Sequence, residues 1–315
     1  MTHAAKDSAA VNRRITTLSV GVATVLVVAK AFAYGASGSV SILASLTDSA
    51  LDLVASLATF FAVRWAAAAP DAEHRYGHGK AESLAALVQA GLVAASAVFI
   101  GLEAVRRIFN PAPVTGGSWA VGVVLFSIAL TAWLIWEQGR ALKATGSVAV
   151  EGDRAHYAAD LAANIVVLIG VASGSFLRAP GLDAAAGLVV AVWLGWGAFG
   201  IAKTAASHLL DAAAPDEDRN AVVAAVLEDS RISNVHQLRT RIAGATLMVQ
   251  MHVDVDATLS LVEAHDIVVA AENRVLARFP NADIIIHADP HPVATGHTAD
   301  HNASPSCKAA AGPWG

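Results

Sequence analysis

Six apolar runs, each about 20 residues long, constrain this chain more than any other feature. They lie near Leu18–Ala36, Ile42–Ala66, Leu84–Phe109, Trp119–Ala141, His156–Leu177 and Ala184–Ala206. A helix rising about 1.5 Å per residue crosses a hydrocarbon core about 30 Å thick in about 20 residues. The expectation is therefore a polytopic α-helical membrane protein with six transmembrane helices. Polar or turn-forming stretches separate the runs: "GASGS", "PDAEHRYGHGK", "NPAPVTGG", "KATGS" and "RAPGLD". With 55% hydrophobic and only 15% charged residues, the chain is too apolar for an ordinary soluble domain. Its net charge of −5 argues against nucleic acid as a partner. Its single cysteine, Cys307, cannot close an intrachain disulfide.

The polar start "MTHAAKDSAAVNRR" resembles the charged end of a signal peptide, but the apolar run after it is too long for one and contains Lys30. An uncleaved first span is expected, with Lys30 near its far end snorkelling to the interface. Lys6, Arg13, Arg14, Arg64, Arg75, Lys80, Arg140, Lys143 and Arg154 then flank the cytoplasmic face, against Arg106, Arg107 and Arg178 outside. That bias follows the positive-inside rule and puts both termini in the cytoplasm, with the protein multi-pass in the cell inner (plasma) membrane.

Beyond Ala206 the pattern changes. "DEDRNAVVAAVLEDS" reads as an amphipathic helix with acids in its first turn. "TLMVQMHVDVD" alternates, with Leu247, Val249, Met251, Val253 and Val255 on one face and Met248, Gln250, His252, Asp254 and Asp256 on the other. "VHQLRTRIA" precedes it as a hairpin partner. A second helix, "SLVEAHDIVVAAENRVLARF", and a strand, "ADIIIHADP", complete an α-β-β-α-β order, which is a small α+β domain. The expected domains are 1–14, a cytoplasmic N-terminal segment; 15–208, the six-helix membrane domain; 209–290, the soluble domain; and 291–315, a disordered tail holding His291, His297, His301 and Cys307.

Chemistry enters through two pairs inside the apolar runs. Asp48 and Asp52 are four apart in "SLTDSALDLVASL", so they share a helix face, which Ser45, Ser49, Ser56 and Thr59 extend. In the fifth run "EGDRAHYAADLAAN" sets His156 and Asp160 four apart, with Asp153 and Asn164 on the same stripe. Counted from opposite faces, Asp52 and Asp160 each lie roughly 18 Å deep. The two pairs thus occupy about one level of the membrane. Each midplane carboxylate costs about 2.5–3.5 kcal/mol. Something positive must offset three of them, and no lysine or arginine is expected at that depth. An O₃N shell suits Zn²⁺, and less exclusively other divalent first-row metals. Deprotonated ligands exchange protons for metal, and His156 is the group most readily cycled near neutral pH. Opened alternately to each side, such a shell is an antiporter.

At these residues the sequence resembles the cation diffusion facilitator family, and within it the YiiP-type bacterial zinc/proton antiporters, from about Arg14 to Pro290. "SLTDSALDLVASL", "HRYGHGKAESLAAL", "HYAADLAAN" and "HLLDAAAPDED" carry the resemblance. It implies a homodimeric divalent-metal/proton antiporter, not an enzyme, with a metallochaperone-like cytoplasmic domain that binds metal and dimerises. It implies transport ligands Asp48, Asp52, His156 and Asp160; a looser loop site of Asp71, His74 and His78; and a binuclear cytoplasmic site of His236, His252, His265, His287 and Asp289. Lys80 and Asp211 match positions that form an interlocking salt bridge. Zn²⁺ is expected as both cargo and structural or regulatory ion, with protons as counter-ion and the lipid bilayer as surroundings. The nearest rival keeps the mechanism with Fe²⁺, Mn²⁺, Cd²⁺ or Co²⁺ as cargo. An intramembrane metallohydrolase would need an open water position, and no H-E-x-x-H is present. A membrane metal sensor that transports nothing leaves the midplane ligands without a purpose.

Overall fold

A computed structural model describes residues 3–37, 40–109, 118–172 and 182–291. The expectations for the 110–117 connection, the end of the fifth run, Arg178, and His297, His301 and Cys307 of the tail lie outside those residues.

The chain divides into two compact units, Ser8–Leu209 and a second made of the residues before Ser8 with those from Leu210 onward. Among the described residues the first holds six long helices: α1 His3–Ser37, from Ser8 on, α2 Val40–Ala66, α3 Lys80–Phe109, α4 Ser118–Thr145, α5 Val148–Ala172 and α6 Leu182–Leu209. Among the described residues α1, α2, α3 and α6 are long and apolar enough to cross a membrane by composition alone. Helix α5 carries Glu151, Asp153, Arg154 and Asp160, and their charge offsets its apolar content. The helices outrun the apolar sequence. Helix α1 takes in most of the polar N-terminal segment, and α5 starts at Val148, so Asp153, His156 and Asp160 all stand on one rigid element.

Small residues draw the bundle together around α5. A Cβ on Gly152 would lie 3.0 Å from the Gln89 Cβ and 3.2 Å from the Ala86 Cα, so α3 and α5 touch there almost backbone to backbone. Above and below, Ala86, Ala90, Val93 and Ala97 of α3 meet Val148 and Ala159 of α5 and Leu194, Ala198, Ile201 and Ala205 of α6. Helix α1 uses larger groups, Val22 and Leu26, against Leu134 of α4 and Tyr157 of α5. The large exposed side chains, Trp193, Trp196 and Phe199 among them, are apolar. With no water to bond, that is the surface a hydrocarbon solvent selects.

The second unit holds α7 Asp216–Leu227, β1 Asn234–Ala243, β2 Thr246–Asp256, α8 Leu261–Arg278 and β3 Ala282–His291. The element order is the expected one. Asp216, Glu217 and Asp218 lie in the first turn of α7, where the helix dipole favours them. A reciprocal cap opens α8: the Glu263 amide donates to Ser260 Oγ at 3.3 Å and the Ser260 amide to Glu263 Oε2 at 2.8 Å. Strand β2 is central, antiparallel to β1 and parallel to β3. The β1–β2 loop is two residues long, and Gly244 takes the positive φ (60°) that such a loop needs at its first position. Val249, Met251, Val253 and Val255 bury one face of the sheet with Val222, Val226, Ile267, Ala271 and Val275. Met248, expected on the polar face, is buried there; Arg241 Nε donates to its sulfur at 3.2 Å. Strand β3 continues through His291, which pairs with Asp256, one residue into the expected tail.

Candidate metal centre

Among the described residues, three groups of ligand-type side chains form, each with its ligand atoms within 4.8 Å of one another: Asp52, His156 and Asp160; Asp71, His74 and His78; and His236, His252 and Asp289.

The first lies between α2 and α5. His156 Nε2 is 3.2 Å from Asp52 Oδ1 and 3.9 Å from Asp160 Oδ2. Asp52 and His156 are buried, and Asp160 Oδ2 is buried without a hydrogen-bond partner. An orphaned carboxylate oxygen facing an imidazole and a second carboxylate suits a cation. Asp48 stands one turn away on α2, on its exposed side, and is not part of this close group. Four residues advance a helix by about 400°, so Asp48 is offset from Asp52 by about 40° as well as by about 6 Å of rise.

One turn further along both helices a second polar cluster ties the bundle. Gln138 Nε2 of α4 donates to Asp153 Oδ2 at 2.8 Å, and Ser56 Oγ of α2 to Asp153 Oδ1 at 3.4 Å. Gln89 Nε2 of α3 donates to Thr59 Oγ1 at 2.9 Å and lies 3.4 Å from Asp153 Oδ1. The Tyr157 hydroxyl is 2.7 Å from Ser56 Oγ and donates to the Ser19 carbonyl of α1 at 3.2 Å. Five helices meet on these groups, which fix α5 against α2 beside the ligands. Sequence reasoning placed Asp153 on the stripe but missed Gln89, Gln138 and Tyr157. The available signal was a lone amide in each of two long apolar helices.

Lys30 overturns an expectation. It does not snorkel to an interface. Its side chain is buried at 5% exposure, and Nζ donates to Ser49 Oγ at 2.6 Å and to the Ser45 carbonyl at 3.2 Å, both on α2. A basic side chain therefore does reach the level of the aspartates. Three donors on a flexible stem find their acceptors in the neighbouring helix, at Ser49 and the Ser45 carbonyl.

The second group folds in the loop between α2 and α3. Asp71 Oδ1 accepts the amides of His74 at 2.6 Å and Glu73 at 2.9 Å, and Gly77 (φ 79°) turns the chain back towards α3. His78 Nε2 is 3.1 Å from Asp71 Oδ2 and His74 Nδ1 3.4 Å from Asp71 Oδ1. The His74 amide foremost, against an opposing desolvation and with the Glu73 amide adding to it, holds the Asp71 carboxyl below the ordinary carboxylate range. His78 is buried while Asp71 and His74 are exposed.

The third group follows from strand register. His236, His252 and His287 are directly opposed across β1, β2 and β3, and Asp254 and Asp289 are opposed two residues on, so all five share the face away from the core. Asp289 is only 2% exposed, with His252 Nδ1 2.8 Å and His236 Nε2 3.3 Å from Oδ2, and His287 Nε2 3.3 Å from Oδ1. A β-bulge follows His236, with Gln237 at φ 51°, and re-aims the strand beside a ligand-type residue. His265 stands on the exposed side of α8 and is not among the close group. Asp254, which sequence reasoning left on the polar face without a role, lies 3.1 Å from His236 Nε2.

Comparison with known proteins bears on both units. The family model for the cation efflux transmembrane domain matches residues 16–210, and that for the cytoplasmic domain of cation efflux proteins matches residues 214–291. The chain is 41% identical over 274 residues to the cation-efflux pump FieF of Shewanella oneidensis, covering 86% of this chain and 92% of that protein. It is 38% identical over 269 residues to FieF of Cronobacter sakazakii, covering 85% and 89%, and 38% identical over 270 residues to FieF of Yersinia pestis, covering 85% and 89%.

Proposed function

The chain belongs to the cation efflux family, also called cation diffusion facilitators, and from that premise we propose that it exports Zn²⁺ from the cytoplasm in exchange for protons. That it is an integral membrane transporter for metal cations follows from the family itself. The finer reading rests on the convergence of Asp52, His156 and Asp160 between two helices, with the Asp160 oxygen left unbonded. Zn²⁺ takes oxygen and imidazole ligands at about 2.0–2.2 Å in tetrahedral shells. Asp52, His156 and Asp160 supply three ligands of that kind. Asp48, one turn away on α2, is the candidate for the fourth. Helices α2 and α5 approach chiefly through polar side chains at this level, so the shell can open without tearing an apolar core.

The cycle uses these residues in turn. Deprotonated aspartates and a neutral His156 take the ion from the cytoplasm. The bundle rocks outward, protons compete for the same atoms, and the ion leaves. The protonated site then returns. The sheet face of the second unit, with His236, His252, His287 and Asp289, fits a resident metal, which would tie the domain's strands and support a homodimer, with both termini cytoplasmic. Carboxylate-rich shells also admit Fe²⁺, Mn²⁺, Cd²⁺ and Co²⁺, so these stay alternative cargoes.

The test is proton movement in proteoliposomes loaded with a pH-sensitive dye, each divalent metal supplied in turn. Zn²⁺ entry should drive proton exit in proportion. Metal entry with a silent dye would remove the exchange, and a larger signal with Fe²⁺ would change the cargo.

A further inference from the structure

Lys30 is the only buried lysine or arginine among the described side chains. Two of its ammonium hydrogens are used by Ser49 Oγ and the Ser45 carbonyl, which flank Asp48 and hold α1 to α2. The ammonium therefore lies at the level of Asp48 on α2. Among the described contacts no carboxylate lies close enough to it for an ion pair.

Hydrogen bonding alone does not account for a lysine here. A glutamine could donate to the same two acceptors without bringing a charge into the bilayer interior, where an uncompensated ammonium is costly. The charge has a use only in relation to the aspartates. We propose that Lys30 is a fixed counter-charge built into the cargo site: with three aspartates and one lysine, a bound dication leaves the cluster neutral, and the lysine sets how tightly that ion is held. This rests on the reading of Asp48, Asp52, His156 and Asp160 as the cargo shell.

The consequence has a definite sign. Lys30 repels the ion it helps to accommodate. With it, the occupied site is neutral and the ion can leave. Without it, the occupied site keeps one net negative charge in a poorly screened interior, and the ion is held too well. A unit charge several ångströms from a dication changes its affinity by on the order of tenfold or more at an effective dielectric constant near 20. A lysine that only pinned two helices would act in the opposite direction, since loosening α2 would spoil the shell and weaken binding.

The experiment is Cd²⁺ uptake into proteoliposomes at about pH 8, where ordinary carboxylates are ionised and ordinary imidazole is neutral. Lys30→Met and Lys30→Gln remove the charge, and the glutamine can keep the hydrogen bonds. Lys30→Arg keeps the charge, and Ser49→Ala keeps the charge while removing the main tie. We expect Lys30→Met and Lys30→Gln to lower KM and turnover together, each by about tenfold or more. Lys30→Arg and Ser49→Ala should stay near the parent. If Lys30→Met fails to fold, Lys30→Gln alone decides. An unchanged or raised KM in Lys30→Gln overturns the proposal, as does a Ser49→Ala variant that reproduces the lysine variants. Asp52→Ala is the control for the underlying reading: uptake persisting there would remove the cargo site itself, a different failure from that of its counter-charge.

Discussion

Two clusters in this molecule draw on the same residue types in opposite ways. Between α2 and α5 there are two carboxylates and one imidazole, with a third carboxylate and an ammonium close by. On the sheet there are three imidazoles around one carboxylate. The first set sits on two separate helices, each with its own backbone hydrogen bonds. The second is pinned across three hydrogen-bonded strands, where register leaves no freedom. Harder, anionic ligands on separate helices suit an ion that must be taken and released. Imidazoles on a fixed sheet suit an ion that stays. The cost of charge differs too: the membrane cluster must be neutralised wherever it goes, whereas His287 and His236 of the sheet still meet water.

The contrast can be broken at several points. The largest effect is expected from Asp52→Ala, which should reduce metal flux to background in proteoliposomes and leave metal binding by the sheet intact; flux that survives would make the two clusters functionally alike. Next, His252→Ala should weaken metal binding at the sheet by more than about 100-fold, as loss of a ligand does, while maximal flux changes by much less. Calorimetry and uptake on one preparation compare the two. Asp153→Asn sharpens the account from within the membrane. It keeps the size but loses an acceptor for Gln138 and Ser56, so flux should fall by about tenfold through misplacement of α5, with metal affinity changing less than in Asp52→Ala. In the loop, the amides of His74 and Glu73 hold the Asp71 carboxyl below the ordinary carboxylate range, so Asp71 should remain an ionised ligand for a bound metal to lower pH than an ordinary carboxylate would. Titrating bound Co²⁺ by its absorbance would follow this.

The smallest expected effect is one of stability. Asp229 is pushed down to about 2, chiefly by the Arg231 side-chain hydrogen bonds, with Arg231's amide and Arg274 adding to them. A carboxyl with a depressed folded value contributes stability above its ordinary titration range and loses it as pH falls through about 2. Asp229→Asn should therefore flatten the acid limb of unfolding of this unit, by under about 1 kcal/mol for a pair so near the surface.

Much of this was legible in the chain. Apolar run length announced long helices, strict alternation announced β2, and the i,i+4 pairs announced the α2–α5 cluster. Legibility failed where depth had to be compared between helices. Lys30 lies seven residues before the end of α1, about 10 Å in, and Ser45 and Ser49 lie about 7–14 Å into α2 from the same side. That arithmetic was available, but snorkelling was the cheaper assumption for one lysine near a helix end. Asp48 stands apart from the close group for a subtler reason: spacing of four gives one face only to within about 40°. His265 was assigned by resemblance alone, and nothing in helix periodicity could say whether α8 turns it towards the sheet histidines. Asp254 needed strand register, which the hairpin loop sets and alternation alone does not.

The central claim is that carboxylates of α2 and α5 and the His156 ring share one ion. Zinc X-ray absorption on the full chain carrying His74→Ala, His236→Ala and His252→Ala isolates that site. One Zn²⁺ per chain should remain, with oxygen and nitrogen neighbours at about 2.0–2.1 Å, one of them an imidazole, and it should vanish when Asp52→Ala is added. Zinc lost already from the three-histidine variant, or retained after Asp52→Ala, would contradict the account.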